Sequence, residues 1–431
     1  MEILFARRSG FTPVMSRCRT HALILGVVVC VLASRSAAAA PPPERKPFFD
    51  ARSHTTHYAG PDDAPSSADR VREVRIGYFG PSDPADPRGG DAWRGACRAV
   101  HEANANGGWH GKPFRLVPVW SANPWGSGVK DVTRLAYQQH VWAIIGGIDG
   151  PTTHLAEQVV AKARLPLVSP LCTDKTVNMA NVPWMFSLAP NDARVADVLA
   201  HEIVHRAGRQ RLVLVTATRH DAHVAAVELR KMFTRLEIAV ELQLEFNATD
   251  GDPRVLATQC VAVKPRAIVL LARPIESARL VTELRGGGYA GPIFGGPAMA
   301  RRAFRAQAGP AAEGVIFPRL IEWDRDAAGT PDENTSIPRL AGRTATNQEL
   351  RTLDYTAALT YDATWLVMQA IRRGGLSRAE IGRQLRRIVP CVGQSGLIAW
   401  DGLGSNTRRP TLATLHDGRT IPLVQSESGR E

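Results

Sequence analysis

The sequence predicts an α/β protein made of two parallel-sheet units, and three observations lead there. From residue 71 onward, short runs rich in Val, Ile, Leu and Phe alternate with amphipathic stretches of helical period. That is the pattern of strands covered by helices on both faces. The alternation breaks at Pro190 and restarts behind it, which divides one unit from the next. The chain has 431 residues, of which 44% are hydrophobic and 22% charged. That length suits two or three domains with sizeable cores, and the composition excludes whole-chain disorder, collagen and coiled coil.

The first unit opens with a strand at 74–79. A helix at 91–105 follows, with Trp93, Ala96, Cys97, Val100 and Ala103 at helical spacing and Gly107-Gly108 as its stop. Next come a strand at 114–120, a helix at 129–139 and a strand at 143–146. A helix at 153–163 then carries Leu155, Ala156, Val159, Val160 and Ala163 on one face. Behind Pro190 the order is helix 192–207, strand 212–216, helix 221–236, strands 240–246 and 267–271, and helix 275–285 before Gly286-Gly287-Gly288. A polar loop at 322–348 precedes a long helix at 350–373, whose Leu353, Ala357, Tyr361, Trp365 and Met368 form a buried stripe. Asp417-Gly418, between strands at 411–416 and 420–424, signals a type I′ hairpin.

The N-terminus predicts export. Arg17 and Arg19 precede an apolar run at 22–33, and Ser36, Ala37, Ala38 and Ala39 follow, the pattern of a signal peptide cleaved after Ala39. The run is shorter than the ~20 residues that span a bilayer. Met15 offers an alternative start. Residues 40–70 are rich in Pro, Ala, Ser and Asp with few large apolar side chains, so a disordered leader is expected. The net charge of +12 is spread along the chain, without the Lys/Arg block of a nucleic-acid arm, and nucleic-acid binding is not expected. Cys97, Cys172, Cys260 and Cys391 are widely spaced with no C-x-x-C, which points to buried free thiols.

A resemblance enters through an ordered set of short motifs. They are 74–79 running into Gly80-Pro81, Gly95-Ala96, Asn104-Ala105-Asn106-Gly107-Gly108, Gly111-Lys112-Pro113, Ile144-Ile145-Gly146-Gly147, Leu167-Val168-Ser169-Pro170 and the LIAWD run at 397–401. Over about residues 71–424 the chain resembles the periplasmic solute-binding proteins of branched-chain amino acid ABC transporters. The resemblance implies two Rossmann-like lobes joined by three hinge crossings, the type I periplasmic-binding-protein fold, closing on a ligand. The expected crossings lie near Ala189-Pro190, near 318–321 and near 396–400. The expected lobes are 71–189 with 322–396, and 190–321 with 397–425. A monomer serving an ABC permease, with no cofactor and no catalysis, is implied.

Elementary chemistry points to the same cleft. In open α/β sheets ligands sit beyond the carboxyl ends of strands, where helix N-termini offer free N–H groups to anions. Two loops fit: Asp149, Gly150, Thr152 and Thr153 before a helix, and Ser169, Leu171 and Thr173 after the next strand. By similarity they hold an amino acid's carboxylate through hydroxyls and N–H groups. Where the family favours aromatic side chains, this chain has Arg88, Arg219 and Arg273, with Asp221 close by. The acidic partner of the ligand's ammonium falls at Pro297-Ala298-Met299, which contains no carboxylate. Three arginines without that acid predict an anionic ligand, because guanidinium groups grip carboxylates in pairs. The same fold also serves periplasmic sensors. A zinc-peptidase reading rests on His201-Glu202-Ile203-Val204-His205, with Glu228 as a third ligand. Against it, both histidines share a face with Arg194 and Asp197, opposite Val195, Val198, Leu199 and Ile203, as on a surface helix. There is no G-x-S-x-G and no P-loop.

Overall fold

The computed structural model describes residues 71–121, 124–247, 251–322 and 353–423. The expected signal peptide and leader, nearly all of the 322–348 loop and the first residues of the helix expected at 350–373 lie outside them. The first sheet contains β1 (Val74–Phe79), β2 (Phe114–Val119), β3 (Ile144–Gly146), β4 (Leu167–Ser169) and β5 (Met185–Ser187). These strands are all parallel, in the order β2-β1-β3-β4-β5. Side chains of alternate residues divide between two layers. Val74, Ile76 and Tyr78 enter one core, while Phe79 enters the other. Helix α1 (Gly90–Ala105) covers the first face; α2 (Val129–Tyr137) and α3 (Gly150–Ala163) cover the second.

Helix α4 (Asp192–Ala207) leads into the second sheet, where β6 (Leu212–Ala217), α5 (His220–Arg235), β7 (Val240–Phe246), α6 (Pro253–Ala262), β8 (Ala267–Leu271), α7 (Pro274–Gly286), β9 (Ile293–Gly295), α8 (Arg302–Ala308) and β10 (Ile316–Arg319) follow. In β6, Leu212 and Leu214 face α4 and α5, whereas Val213, Val215 and Ala217 face α6 and α7. The chain then returns to the first sheet as α9 (Tyr355–Gly374), α10 (Arg378–Arg387) and the hairpin of β11 (Cys391–Gly393) with β12 (Gly396–Ile398). It ends on β13 (Thr411–His416) and β14 (Arg419–Pro422), giving the order β14-β13-β10-β9-β8-β6-β7. Asp417 and Gly418 both have positive φ, as the expected hairpin turn requires.

Several expectations change in detail. Helix α3 begins three residues before the expected 153, because Asp149 caps it and Pro151 suits the first turn. Helix α9 begins at Tyr355 behind the capping Asp354, leaving Leu353 outside it. Its expected stripe is instead a helix buried nearly all round: every residue from Thr356 to Ile371 except Gln369 is buried. It packs so closely on α1 that a Cβ at Gly95 would lie 2.1 Å from the carbonyl oxygen of Ala357. The sequence reading passed over α6, α8, α10 and the short strands β5 and β9 to β12, which are too short or too polar to show a clear period. All four cysteines in the described residues are free, three of them buried. No helix among these residues is long and apolar enough to cross a membrane.

Three segments cross between the sheets, and two buried polar residues of the last one tie them together. Asn406 donates from its side chain to the carbonyl of Leu188 (2.7 Å) and from its N–H to that of Ser187 (3.0 Å). The Arg408 guanidinium donates to the carbonyls of Leu320 and Ser395. Burial lowers the Arg408 pKa to about 10.

Candidate ligand-binding site

Helix α3 presents its N-terminus to the second lobe. Asp149 accepts the N–H and the hydroxyl of Thr152 at 3.0 and 2.6 Å, and the Thr152 hydroxyl accepts the N–H groups of Ile148 and Asp149. Thr153 donates to the Asp149 carbonyl (2.7 Å), and its hydroxyl lies 3.3 Å from that of Ser169, which donates to the Gly147 carbonyl. All three hydroxyls are buried within the turn. Here they cap the helix and close the turn. What the turn presents outward is the N–H of Gly150.

That N–H donates to Asp221 Oδ1 at 2.8 Å, across the lobes, at the first turn of α5. Burial, then the nearby charge of Asp149, push the Asp221 carboxyl up to about 6. The fit is tight. A Cβ on Gly150 would lie 2.7 Å from that Asp221 oxygen and 2.9 Å from the His220 ring. Beside it, Asp174 Oδ2 lies 2.7 Å from His220 Nε2 and 3.2 Å from His154 Nε2. Burial favours the neutral Asp174 carboxyl, but bonds from His154, Thr176 and His220 outweigh it and hold the pKa well below the usual range. The bond to Asp174 raises the His154 pKa to about 9. Lys175 donates to Glu228 Oε2 on α5 at 2.8 Å.

Thr173 and Leu171 are half-buried on the same loop, and the Thr173 carbonyl accepts the N–H of Asp192 at 2.7 Å. The Asp192 carboxyl is buried, which pushes its pKa well up against a bond from the Thr173 side chain. Its Oδ2 has no hydrogen-bond partner among the described residues. Asp149, Asp174, Asp192 and Asp221 therefore gather around one end of the cleft.

The three arginines expected at the ligand do not converge there. Arg219 pairs with Glu276 at 3.2 Å. The backbone N–H of Arg273 donates to the same carboxylate at 3.0 Å, and its side chain is exposed. Arg88 lies over the Trp120 ring, 3.8 Å from Asp86. One glutamate at the start of α7 thus engages the Arg219 side chain and the Arg273 backbone. Met299 is fully buried against Gly295 in the core of the second sheet.

At the opposite end, residues the sequence reading missed join the lobes. Arg301 pairs with Asp354 and donates to the carbonyls of Pro87 and Arg88, while Arg302 reaches Asp91 at 2.9 Å. Their signal was present in part: the two arginines stand side by side just behind Pro297-Ala298-Met299. The partners, 211 and 53 positions away along the chain, are brought there only by the fold.

The H-E-x-x-H segment lies on the exposed side of α4. His201 bonds back to the Asp197 carbonyl, Glu202 pairs with Arg206, and Glu228 is held by Lys175 and Lys231. Asp197 Oδ1 lies 3.6 Å from His201 Nδ1, but among the described residues His201 and His205 belong to no cluster of three converging donors. His205 lines a surface groove of about 820 Å³ with Arg285, Tyr289 and Glu313, which contains none of the expected ligand residues.

Comparison with known proteins agrees with this architecture. The family model described as periplasmic binding protein matches residues 73–411. An amino acid binding protein of Pseudomonas aeruginosa is 24% identical over 223 residues, 52% of this chain and 60% of that relative, so the match spans less than two thirds of its length. Among solved structures, the branched-chain amino acid transporter substrate-binding protein of Streptococcus pneumoniae, in complex with isoleucine, superposes with a TM-score of 0.69 at 21% identity, covering 81% of this chain and all of that one. A solute-binding protein of an ABC transporter from R. palustris, in complex with benzoate, gives 0.68 at 14% identity, covering 81% and 95%. Two α/β lobes joined by three crossings, with helix N-termini meeting in the cleft and a family match over most of the sequence, place the chain in the periplasmic binding protein family.

Proposed function

We propose that the chain captures a small amino-acid-like ligand between its lobes and delivers it to an ABC permease, after export to the periplasm through the segment at 1–39. The lobes in this reading are 71–189 with 322–396, and 190–321 with 397–425, and the protein acts as a monomer. One observation carries the proposal: the free N–H at the start of α3 is met by a carboxylate from the opposite lobe. A helix N-terminus favours a carboxylate. A ligand's carboxylate fits the place that Asp221 takes here. Asp221, whose raised pKa reflects a poorly compensated negative charge, then becomes the acceptor for the ligand's ammonium. The benzoate- and isoleucine-bound relatives suit a site whose first requirement is a carboxylate.

The test is a thermal-shift panel of leucine, isoleucine, valine, glutamate and benzoate, run with a chelator present. Zwitterionic amino acids should raise Tm more than carboxylates lacking an amine, and Asp221→Asn should erase that difference. Equal shifts from amine-free acids, or an unaltered ranking in Asp221→Asn, would overturn the assignment.

A further inference from the structure

We propose that His154, Asp174 and His220 form a binding site for a divalent transition-metal ion, with zinc the best match, which bridges the two lobes. The proposal goes beyond the amino-acid reading and does not depend on it. His154 stands in the first turns of α3, Asp174 caps the short 3₁₀ turn Lys175–Asn178, and His220 opens α5 on the second lobe. Their ligand atoms all lie within 4.8 Å of one another. The two imidazole rings stand edge to face, 85° apart with centroids at 5.9 Å, and both direct Nε2 at the same carboxylate oxygen. Donors about 2.0–2.2 Å from a tetrahedral zinc are themselves roughly 3.3–3.5 Å apart. The observed 2.7 and 3.2 Å separations open to that spacing with small side-chain movements.

The surrounding groups orient these donors as second partners do in metal sites. Asp174 Oδ1 accepts the N–H and hydroxyl of Thr176 at 2.8 and 2.7 Å, which leaves Oδ2 for the ion. Glu157 lies 3.6 Å from His154 Nδ1, on the far side of the ring, so the carboxylate fixes which nitrogen faces Asp174. Glu157 is itself buried, and its other oxygen has no partner among the described residues. Two imidazoles and one carboxylate form a nitrogen and oxygen donor set suited to zinc, nickel or copper rather than calcium or magnesium. Three protein ligands leave a fourth position for water or a ligand atom. Asp174 is buried and His220 exposed, so an ion reaches the site from the His220 side. The other converging set, Glu313, His416 and Asp417, is wholly exposed and lies on the second lobe alone. A metal on His154 and Asp174 gains its third ligand only when α5 approaches, so binding and lobe closure are coupled.

The full chain, prepared without a polyhistidine tag and stripped by EDTA, is titrated with zinc alone by calorimetry, and its radius of gyration is followed by X-ray scattering. One ion per chain and a smaller radius are expected with no organic ligand present. His220→Asn and His154→Gln should each weaken zinc binding at least tenfold and remove the compaction, with circular dichroism confirming the fold. His201→Asn should leave both unchanged. Absence of stoichiometric binding overturns the proposal, as does binding that survives both site variants or is lost in His201→Asn. Because no amino acid is added here and a chelator is present in the thermal-shift panel, failure of one reading leaves the other standing.

Discussion

Gly150 is where the chain's own carboxylate takes the position suited to a ligand's. A methyl group there would press on Asp221, His220 and Asp174 at 2.7, 2.9 and 3.1 Å. Gly150→Ala should therefore lower affinity for the best amino acid about tenfold or more, roughly 1.4 kcal/mol, in calorimetry. Circular dichroism of the unliganded variant should show the fold kept, since alanine is the better helix former and the methyl meets side chains rather than backbone. An unchanged affinity would remove the helix terminus from the site. Asp362 gives a pH test remote from the cleft. It is buried on α9 and accepts the N–H groups of Gln394 and Ser395 on separate oxygens, yet burial raises its pKa from 3.8 to about 6. The folded chain thus holds this proton to higher pH than the unfolded one. Its contribution to stability is full below about pH 4 and is lost as pH rises to about 6, a change of up to about 3 kcal/mol. Urea titrations of Asp362→Asn should show that slope removed. At this scale the sequence was informative where a residue's role is local. Asp149, Gly150 and Asp221 stood out because strand ends and helix starts can be read from spacing. His154, Asp174 and Asp192 did not, because nothing near them in sequence indicates what they face.

Helices α2 and α10 show how one element completes another. The buried Arg378, at the start of α10, donates to the carbonyls of Ala136 (2.7 Å) and Val141 (3.0 Å), which end α2 and lead into β3. Helix C-termini leave carbonyls unsatisfied, and here a distant side chain meets them. Arg378→Ala should destabilise the fold by about 1–3 kcal/mol for each carbonyl left without a donor. Hydrogen exchange should speed up first across residues 129–141. A uniform increase over the whole chain would contradict this local role. The amphipathic period of α1, α4 and α5 was plain because each has one wet face. Helix α9 was misread as a stripe because α1, α10 and the first sheet enclose it, and burial on every side leaves no period to read. The short strands β9 to β12 hold too few residues for alternation to appear.

Across the whole molecule, polar contacts at both ends of the cleft hold the lobes together. Arg301 and Arg302 meet Asp354 and Asp91 at one end, while His220 and Asp221 meet Asp174 and Gly150 at the other. Arg301–Asp354 is the buried pair of the two, and removing one side of such a pair costs about 2–5 kcal/mol. Replacing Arg301 and Arg302 by alanine together should enlarge the unliganded radius of gyration and weaken ligand binding at least tenfold, read by scattering and calorimetry. An unaltered scattering profile would show that these pairs do not govern closure. The sequence by itself determined the two α/β units, the strand and helix order, the break at Pro190 and the loops that start α3 and follow β4. Those features follow from hydrophobic period and turn chemistry, which act over a few residues. Only the tertiary structure decided that Thr152 and Thr153 cap the start of α3, that Glu276 engages Arg219, that Met299 is core, and that Asn406 and Arg408 tie the crossings. Each depends on a partner brought from another segment or lobe, and a charge's role is set by what lies within a few ångströms of it.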